Sequence, residues 1–176
     1  MSCIREDYQA NKGNPKSLFL VLSFRFSNYF ALNKNSVIRL LGLPIRVLYR
    51  LFVEWILGVE LPDKTKVGKG LMIYHGQGLV VNSNTVIGDH VMLRHNTTIG
   101  NKNKKGNCPI IGNNVDIGAN CVVIGDIKIG NSVTVGAGSV VVKDISESVI
   151  VAGNPAKIIK HKNTKERIDE TSNTKL

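Results

Sequence analysis

The chain has 176 residues, of which 43% are hydrophobic and only 6% aromatic, and its formal net charge is +10. This length fits one domain with a small accessory region, and the scarcity of aromatic rings predicts a core of stacked aliphatic side chains. The basic residues are dispersed and no recognition helix or stacking platform accompanies them, so we expect no nucleic-acid partner. A phosphorylated cofactor or an anionic membrane surface fits the positive charge better.

The N-terminal part of the chain predicts a small helical region over residues 1–58. The first sixteen residues are polar and mixed in charge, so no cleavable signal is expected there. After the loop signal Gly13-Asn14-Pro15, two apolar helices are predicted at about 16–32 and 37–57. The three cysteines, Cys3, Cys108 and Cys121, lack the spacing of disulfides or metal ligands. These features predict a cytoplasmic protein without a bound metal.

The second predicted helix, 37–57, carries a polar stripe on an otherwise apolar cylinder. The stripe consists of Arg39, Arg46, Arg50 and Glu54. Three arginines and Pro44 argue against a membrane-spanning segment, because charges are unfavourable at the centre of a bilayer. Two interpretations stay open: a helix that packs on protein, or a helix that lies in a membrane surface.

A six-residue aliphatic period fills most of the rest of the chain. Such a period fits neither an amphipathic helix nor a simple strand alternation. It is typical of a hexapeptide β-solenoid, in which each hexapeptide forms one flat side of a coil; an ordinary β-sandwich is the less favoured alternative. We assign the solenoid to residues 59–156 and a basic, mobile tail to residues 157–176. The aliphatic positions are Ile87, Leu93, Ile99, Ile111, Ile117, Val123, Ile129, Val135 and Val141.

One segment breaks the hexapeptide pattern. Residues 101–109 are polar and glycine-containing, and Lys105 stands where an aliphatic residue is due. We interpret this segment as a loop extruded from one edge of the solenoid, with Ile99 and Ile111 on consecutive sides. Extruded loops on rigid solenoids commonly carry binding function.

The repeat register predicts which residues share an edge of the solenoid. Three hexapeptides give about 18 residues per coil, and two irregularities interrupt this count: a two-residue slip after His75 and the six-residue loop insertion. With both included, Ile73, Leu93, Ile117 and Val135 fall on one side. The residues two positions further along each coil then form a column, which consists of His75, His95, Ala119 and Ala137.

This column has the composition of a reaction site beside a narrow groove. Histidine exchanges protons near neutral pH, and a second histidine is predicted one coil above His75. The pairs Gly118-Ala119 and Gly136-Ala137 leave backbone amide groups accessible. A long, thin ligand that carries amide groups could lie along them with its reactive end at the histidines. Cys108 could also be considered as a nucleophile, but nothing in the sequence activates its thiol.

The segment from Glu60 to Val81, ELPDKTKVGKGLMIYHGQGLVV, resembles the active-site segment of bacterial serine O-acetyltransferases, and within that group the colanic acid biosynthesis acetyltransferases. The resemblance runs from about residue 7 to residue 160. It implies a left-handed parallel β-helix, a homotrimer with active sites between adjacent subunits, and acetyl transfer from acetyl-CoA. It also implies that His75 is the general base and that Glu60 orients its imidazole. The oxyanion donor would be His95 or backbone N–H groups near Gly76.

The same resemblance extends to the acetyl-CoA site. Gly118-Ala119 and Gly136-Ala137 match glycine–alanine pairs that contact CoA in the family, and they coincide with the column that the register predicts. We assign four further residues to the cofactor: Gly100, Asn101, Lys143 and Lys157. No metal is required for this chemistry.

The acceptor-binding positions depart from those of the serine enzymes. Charged groups hold the amino acid there, whereas the matching residues of this chain are Asn14, Tyr74, Asn107 and Cys108. A zwitterion without opposite charges is poorly compensated, while a neutral sugar has no such requirement and could stack on Tyr74. We therefore predict O-acetylation of a sugar in an exopolysaccharide, capsule or O-antigen precursor, at the inner face of the plasma membrane. The alternatives are serine O-acetylation and a non-enzymatic scaffold.

Overall fold

The protein consists of an N-terminal helical region followed by a left-handed parallel β-helix of about five turns, which confirms the predicted fold class. The structure is a computed structural model, and it describes residues 2–104 and 106–162. The fifteen strands form three parallel sheets that make the three sides of a prism, with one antiparallel strand added at the end.

The N-terminal region contains four α-helices and a π-helix rather than the two helices predicted. They are α1 (Ser2–Ala10), α2 (Pro15–Leu32), α3 (Ser36–Leu41), α4 (Leu43–Tyr49) and the π-helix Arg50–Ile56. The second predicted helix is interrupted at Gly42, because Pro44 occupies the first turn of α4 and cannot continue a preceding helix. Within the described residues, no helix is long and apolar enough to cross a membrane.

The strands follow one another around the prism in a fixed order. Sheet A contains β1, β4, β7, β10 and β13; sheet B contains β2, β5, β8 and β11; sheet C contains β3, β6, β9, β12, β14 and β15. Their bounds are β1 Val59–Glu60, β2 Lys66–Val67, β3 Met72–Tyr74, β4 Leu79–Val81, β5 Val86–Ile87, β6 Met92–Arg94, β7 Thr98–Gly100, β8 Ile110–Ile111, β9 Asp116–Ile117, β10 Val122–Ile124, β11 Lys128–Ile129, β12 Thr134–Val135, β13 Val140–Val141, β14 Val149–Gly153 and β15 Ala156–His161.

The predicted coil register agrees with the strand pairing. Ile73 pairs with Leu93, and Ile117 pairs with Val135. Met92 pairs with Asp116, which places Leu93 and Ile117 in successive coils. Each of the nine repeat positions is at most 2% exposed, so the aliphatic period forms the interior column of the prism. The burial of these side chains is the main favourable term for folding.

The end of the β-helix differs from the expectation for residues 157–176. Ala156–His161 forms β15, which pairs antiparallel with β14 and covers the last coil of sheet C. The basic segment therefore begins as a paired strand rather than as a mobile tail. Residues 163–176 lie outside the described part of the chain.

A buried ion pair anchors the helical region to the β-helix. Asp7 is fully buried and accepts a hydrogen bond at 2.7 Å from Nε of Arg25, which is 8% exposed. The Asp7 carboxylate also accepts the backbone N–H of Leu71 at 3.0 Å, and Arg25 donates to the carbonyl oxygen of Val67 at 2.8 Å. One network thus joins α1, α2 and the first coil and holds the polar segment around Asp7 against the β-helix.

Replacing Asp7 by Ala should lower the free energy of unfolding by about 3–5 kcal/mol, because Arg25 would stay buried without its counter-charge. Denaturant unfolding measures this change. The adjacent Glu6 provides a matched control: its carboxylate is 41% exposed and lies 3.7 Å from Nζ of Lys69. We expect Glu6→Ala to cost less than about 1 kcal/mol, and equal effects of the two variants would contradict the anchoring role of Asp7.

Candidate active site

The predicted column lies along the C–A edge, the edge where the chain passes from sheet C to sheet A. In successive coils this edge is formed by residues 74–78, 94–97, 118–121 and 136–139. Backbone hydrogen bonds connect the coils there: Asn120 N–H donates to the carbonyl of His95 at 3.1 Å, and Gly138 N–H donates to the carbonyl of Ala119 at 2.8 Å. The structure therefore brings His75, His95, Ala119 and Ala137 to one edge.

The two histidines are neighbours on this edge, but they are held differently. Their ring centroids are 6.0 Å apart with an interplanar angle of 78°. The N–H of Asn96 donates to the carbonyl of Gln77, so the backbone register places Gln77, not His75, below His95. His75 belongs to the two-residue insertion and has a positive φ of 61°, a conformation that is uncommon outside glycine. The insertion thus pushes the His75 imidazole outward from the coil.

Both imidazoles have ring nitrogens available for chemistry. His75 is exposed, and none of the described residues forms a hydrogen bond with its ring. The Nδ1 of His95 is buried and has no hydrogen-bond partner among the described residues. Glu60 lies in β1 beside Val80 and is exposed, two residues inside sheet A from this edge. No hydrogen bond joins Glu60 to His75 within the described chain, so its orienting role stays a prediction; such bonds commonly tighten only when substrate is bound.

The upper part of the C–A edge is open and lined by small residues. A Cβ on Gly118 would lie 2.5 Å from the backbone N of Ala137, so only glycine fits between these coils. Ala137 is exposed and Ala119 is half-buried. The carbonyl of Ala119 accepts a hydrogen bond from the N–H of Gly138. The N–H groups of Ala119 and Ala137 have no backbone partner in the described residues. These N–H groups can donate to an extended ligand that lies along the edge.

Two residues beside the histidines were missed by the sequence reasoning. Arg94 pairs with Tyr74 in the register of sheet C, and its guanidinium bonds the carboxylate of Asp116. Gln77 is exposed on the turn that follows His75. The sequence did contain a sign of Arg94. It occupies the repeat position at which later coils have Gly118 and Gly136, so an arginine takes the place of a glycine. Together with Tyr74, these side chains form the polar and aromatic surroundings of the His75 turn.

The remaining predicted residues lie mainly on the A–B edge, where the chain passes from sheet A to sheet B. This edge carries Gly100, Asn101, Asn107, Cys108 and Lys143. The extruded loop is held on the next coil by a hydrogen bond from the Asn107 amide to the Asp126 carboxylate at 2.9 Å, and it borders a cavity of about 310 Å³. Because a strand rises about 3.3 Å per residue, the two edges of sheet A are roughly 15–20 Å apart in one chain.

Two of the predicted acceptor-binding residues have structural roles in this chain. Cys108 is 6% exposed, and burial raises the pKa of its thiol; a buried, protonated thiol is a poor nucleophile and a poor substrate contact. The side-chain oxygen of Asn14 accepts the N–H of Ser17 at 3.0 Å and caps α2. Lys157, assigned to the cofactor, is exposed in β15 and pairs with Ala152 next to the C–A edge.

A left-handed β-helix with two adjacent histidines below a glycine–alanine groove is the architecture of an acyltransferase. Comparison with known proteins agrees. No protein-family model matches the chain. WcaB of Escherichia coli K12, which is named as a candidate colanic acid biosynthesis acetyltransferase, is 38% identical over 87% of this chain and 96% of its own length. Serine acetyltransferase 4 of Arabidopsis thaliana is 36% identical over 90% of this chain but only 47% of its own length.

Solved structures of serine acetyltransferases also resemble this chain. The crystal structure of serine acetyltransferase from Neisseria gonorrhoeae superposes with a TM-score of 0.77 at 28% identity, over 96% of this chain and 68% of that chain. Serine acetyltransferase from Brucella abortus in complex with coenzyme A also gives a TM-score of 0.77, at 26% identity over 92% and 68% of the two chains. The chain therefore belongs to the hexapeptide-repeat O-acetyltransferases of the serine acetyltransferase group, which includes the colanic acid biosynthesis acetyltransferases.

If His75 is the general base, His75→Ala should lower kcat by about 10²–10⁴-fold, because no other described side chain replaces its imidazole at the turn. Release of free CoA thiol measures turnover. His90 is the matched control: it lies on the edge between sheets B and C, with Nε2 3.8 Å from Glu6. His90→Ala should stay within about twofold of the parent rate, and an active His75→Ala variant would contradict the assigned role.

Ala137→Trp should weaken CoA binding by about tenfold or more, because the indole would fill the groove above Ala119. Ala137 is exposed, so the larger side chain requires no rearrangement of the interior column. Isothermal titration with CoA measures the affinity, and thermal unfolding serves as the control for an intact coil. Unchanged affinity would place the cofactor elsewhere.

Proposed function

We propose that the protein is an acetyl-CoA-dependent O-acetyltransferase that modifies a sugar hydroxyl of an exopolysaccharide, capsule or O-antigen precursor. The observation that carries this proposal is the composition of the His75 turn: its neighbours are Tyr74 and Gln77, and its nearby charges, Arg94 and Asp116, neutralise each other. An aromatic ring and an amide suit a neutral sugar, which needs stacking and hydrogen bonds rather than opposite charges. The relation to WcaB over 96% of its length supports the same acceptor class.

The proposed reaction uses the groups that lie on the C–A edge. The acceptor hydroxyl donates its proton to His75 as its oxygen attacks the thioester carbonyl carbon, and the C–O bond forms. The carbon–sulfur bond then breaks, and the departing CoA sulfur receives the proton from His75. His95 and nearby backbone N–H groups are the candidate donors to the transient oxyanion. Glu60 would stabilise the imidazolium that forms in between.

A homotrimer would complete this site. In one chain the residues assigned to acetyl-CoA binding are divided between the C–A edge and the A–B edge, which lie at opposite sides of sheet A. Packing three prisms side by side would place the A–B edge of one subunit next to the C–A edge of its neighbour. Gly100, Asn101 and Lys143 of one subunit would then face Ala119 and Ala137 of the next, with Lys143 available to the phosphates of CoA.

The proposed site of action is the cytoplasmic face of the plasma membrane. The precursors of surface polysaccharides carry a lipid anchor there, and a protein that acetylates them benefits from contact with the membrane. The predicted helix 37–57, for which packing on protein and contact with a membrane surface were both left open, corresponds to α3, α4 and the π-helix. Many large apolar side chains of these helices are exposed, which supports a peripheral contact.

Serine O-acetylation is the second candidate function, and the similarity to serine acetyltransferases over 90% of this chain favours it. The acceptor preference distinguishes the two. Purified protein supplied with acetyl-CoA and L-serine should release free thiol at most at about the background hydrolysis rate, because Arg94 is paired with Asp116 and leaves no free cation among the described residues at the His75 turn for the serine carboxylate. Rapid turnover with serine would overturn the sugar proposal in favour of the serine reaction.

A second test of the proposed acceptor measures O-acetylation of the host polysaccharide. Deleting the gene should remove O-acetyl groups from one sugar of the polymer, which mass spectrometry and NMR detect. Restoring the parent protein should return the modification, whereas restoring His75→Ala should not. An unchanged polysaccharide would contradict the proposed acceptor class.

A further inference from the structure

The helices that follow α2 expose a continuous apolar stripe. Within α3, and again through α4 and the π-helix, its members recur at helical spacing, so those of each part share one face. Most are more than half exposed, and Trp55 is 75% exposed. We call this surface the outer stripe; it consists of Val37, Leu40, Leu41, Val47, Leu48, Leu51, Phe52, Trp55 and Ile56.

The outer stripe faces solvent because the polar side of the same helices is bonded to the β-helix. Nε of Arg46 donates to the carboxylate of Asp63 at 2.7 Å, and Asp63 is 4% exposed. The hydroxyl of Tyr49 donates to the carbonyl of Leu61 at 2.7 Å. Buried polar bonds of this kind are costly to break, so the helices cannot rotate to bury the apolar face. The segment is thus fixed with its apolar face outward.

The charge of the surrounding region indicates the partner. Between Asp7 and Glu54 the chain has seven basic residues and no acidic residue. Arg25 and Arg46 are paired with buried carboxylates, whereas the other five are exposed: Lys12, Lys16, Lys34, Arg39 and Arg50. Arg50 lies 3.8 Å from Glu54, so Lys34 and Arg39, which lie just before and within α3, are the exposed cations that carry the net positive charge beside the stripe. Exposed cations around an apolar stripe match a bilayer with anionic headgroups.

A second copy of the chain fits this surface less well. An isologous contact between two helical regions would bring the same basic surface against itself, and like charges at an interface are unfavourable. We infer that the outer stripe is a docking surface for an anionic lipid bilayer, in which the apolar side chains enter the headgroup region and Lys34 and Arg39 contact lipid phosphates. The inference extends the membrane contact proposed above and does not depend on which acceptor is acetylated.

Docking by this surface would orient the active site. A Cβ on Gly76 would lie 3.0 Å from Cδ1 of Leu20, so α2 packs directly against the turn that carries His75. The helical region covers the first coil, and His75 lies on that coil, whereas Ala137 lies on a later one. The histidine end of the C–A edge would therefore be the end nearest to the bilayer.

The chain offers a direct reporter, because Trp55 is its only tryptophan and belongs to the outer stripe. Its fluorescence emission should shift to the blue when the full-length protein is mixed with vesicles of phosphatidylglycerol and phosphatidylcholine. Vesicles of phosphatidylcholine alone should give a smaller shift, and added salt should weaken binding to the anionic vesicles. Sedimentation with the vesicles measures the bound fraction independently.

Variants of the outer stripe and of the basic residues separate the apolar contribution to vesicle binding from the electrostatic one. Leu48→Asp and Leu51→Asp should each weaken sedimentation with anionic vesicles by about tenfold, while the double variant Lys34→Glu, Arg39→Glu should abolish the preference for anionic lipid. Ile159→Asp is the matched control, because Ile159 is 66% exposed on β15 and should leave binding unchanged. Near-parent unfolding temperatures would show that the variants are folded.

Two results would overturn the inference. The first is no Trp55 shift and no sedimentation with anionic vesicles. The second is a doubling of the solution mass with protein concentration that Leu48→Asp abolishes, since this would assign the stripe to a second copy of the chain. Neither measurement uses acetyl transfer, so failure here leaves the proposed enzyme activity standing, and failure of that activity leaves this inference intact.

Discussion

The structure depends on one constraint: every coil must return an aliphatic side chain to the same interior column. Neighbouring coils lie about 4.8 Å apart, and their backbone groups bond to one another, so a coil cannot shift without breaking both the column and the hydrogen bonds. An extra residue inside a strand would turn interior side chains outward. Insertions are therefore tolerated only at the edges of the prism, and both irregularities of this chain, the His75 turn and the extruded loop, occur there.

This constraint also explains why the candidate active-site residues lie at the edges of the prism. Side chains on the flat sides either fill the interior or point straight outward, whereas edge residues adopt left-handed or turn conformations and can be displaced. His75 and Asn96 are both examples with positive φ. The candidate residues accordingly divide between two edges of sheet A, and a single subunit presents the histidines and the loop on opposite sides of that sheet.

Much of this architecture could be predicted because the hexapeptide period records burial directly. The coil register through Ile73, Leu93, Ile117 and Val135 agrees with the strand pairing. The two-residue slip was expected after His75, but it includes His75 itself, and the sequence did not reveal this. The backbone register places Gln77 below His95, and only hydrogen-bond positions distinguish this from the expected His75.

Other features depend on long-range contacts that a local pattern does not contain. No helix was predicted over Ser2–Ala10, yet this segment forms α1, and its Asp7 meets Arg25 and Leu71 in the interior. The burial of Cys108 arises from packing beneath the loop, and the pairing of β15 requires the last coil as a template. Arg46 was recognised as part of a polar stripe, but the buried Asp63 that holds its guanidinium inward lies 17 residues away in sequence, while Arg39 and Arg50 of the same stripe stay exposed.

The position of His75 outside the ladder has a consequence for the diversification of such enzymes. His75 and Gly76 are the inserted residues of this turn, while Tyr74, Gln77 and Gly78 keep the strand pairing and the hydrogen bonds between coils. The exposed side chains of this turn can therefore vary while the coil is kept, much as an antibody loop varies on a constant framework. New acceptor preferences can arise within this turn while the donor groove along Ala119 and Ala137 is kept unchanged.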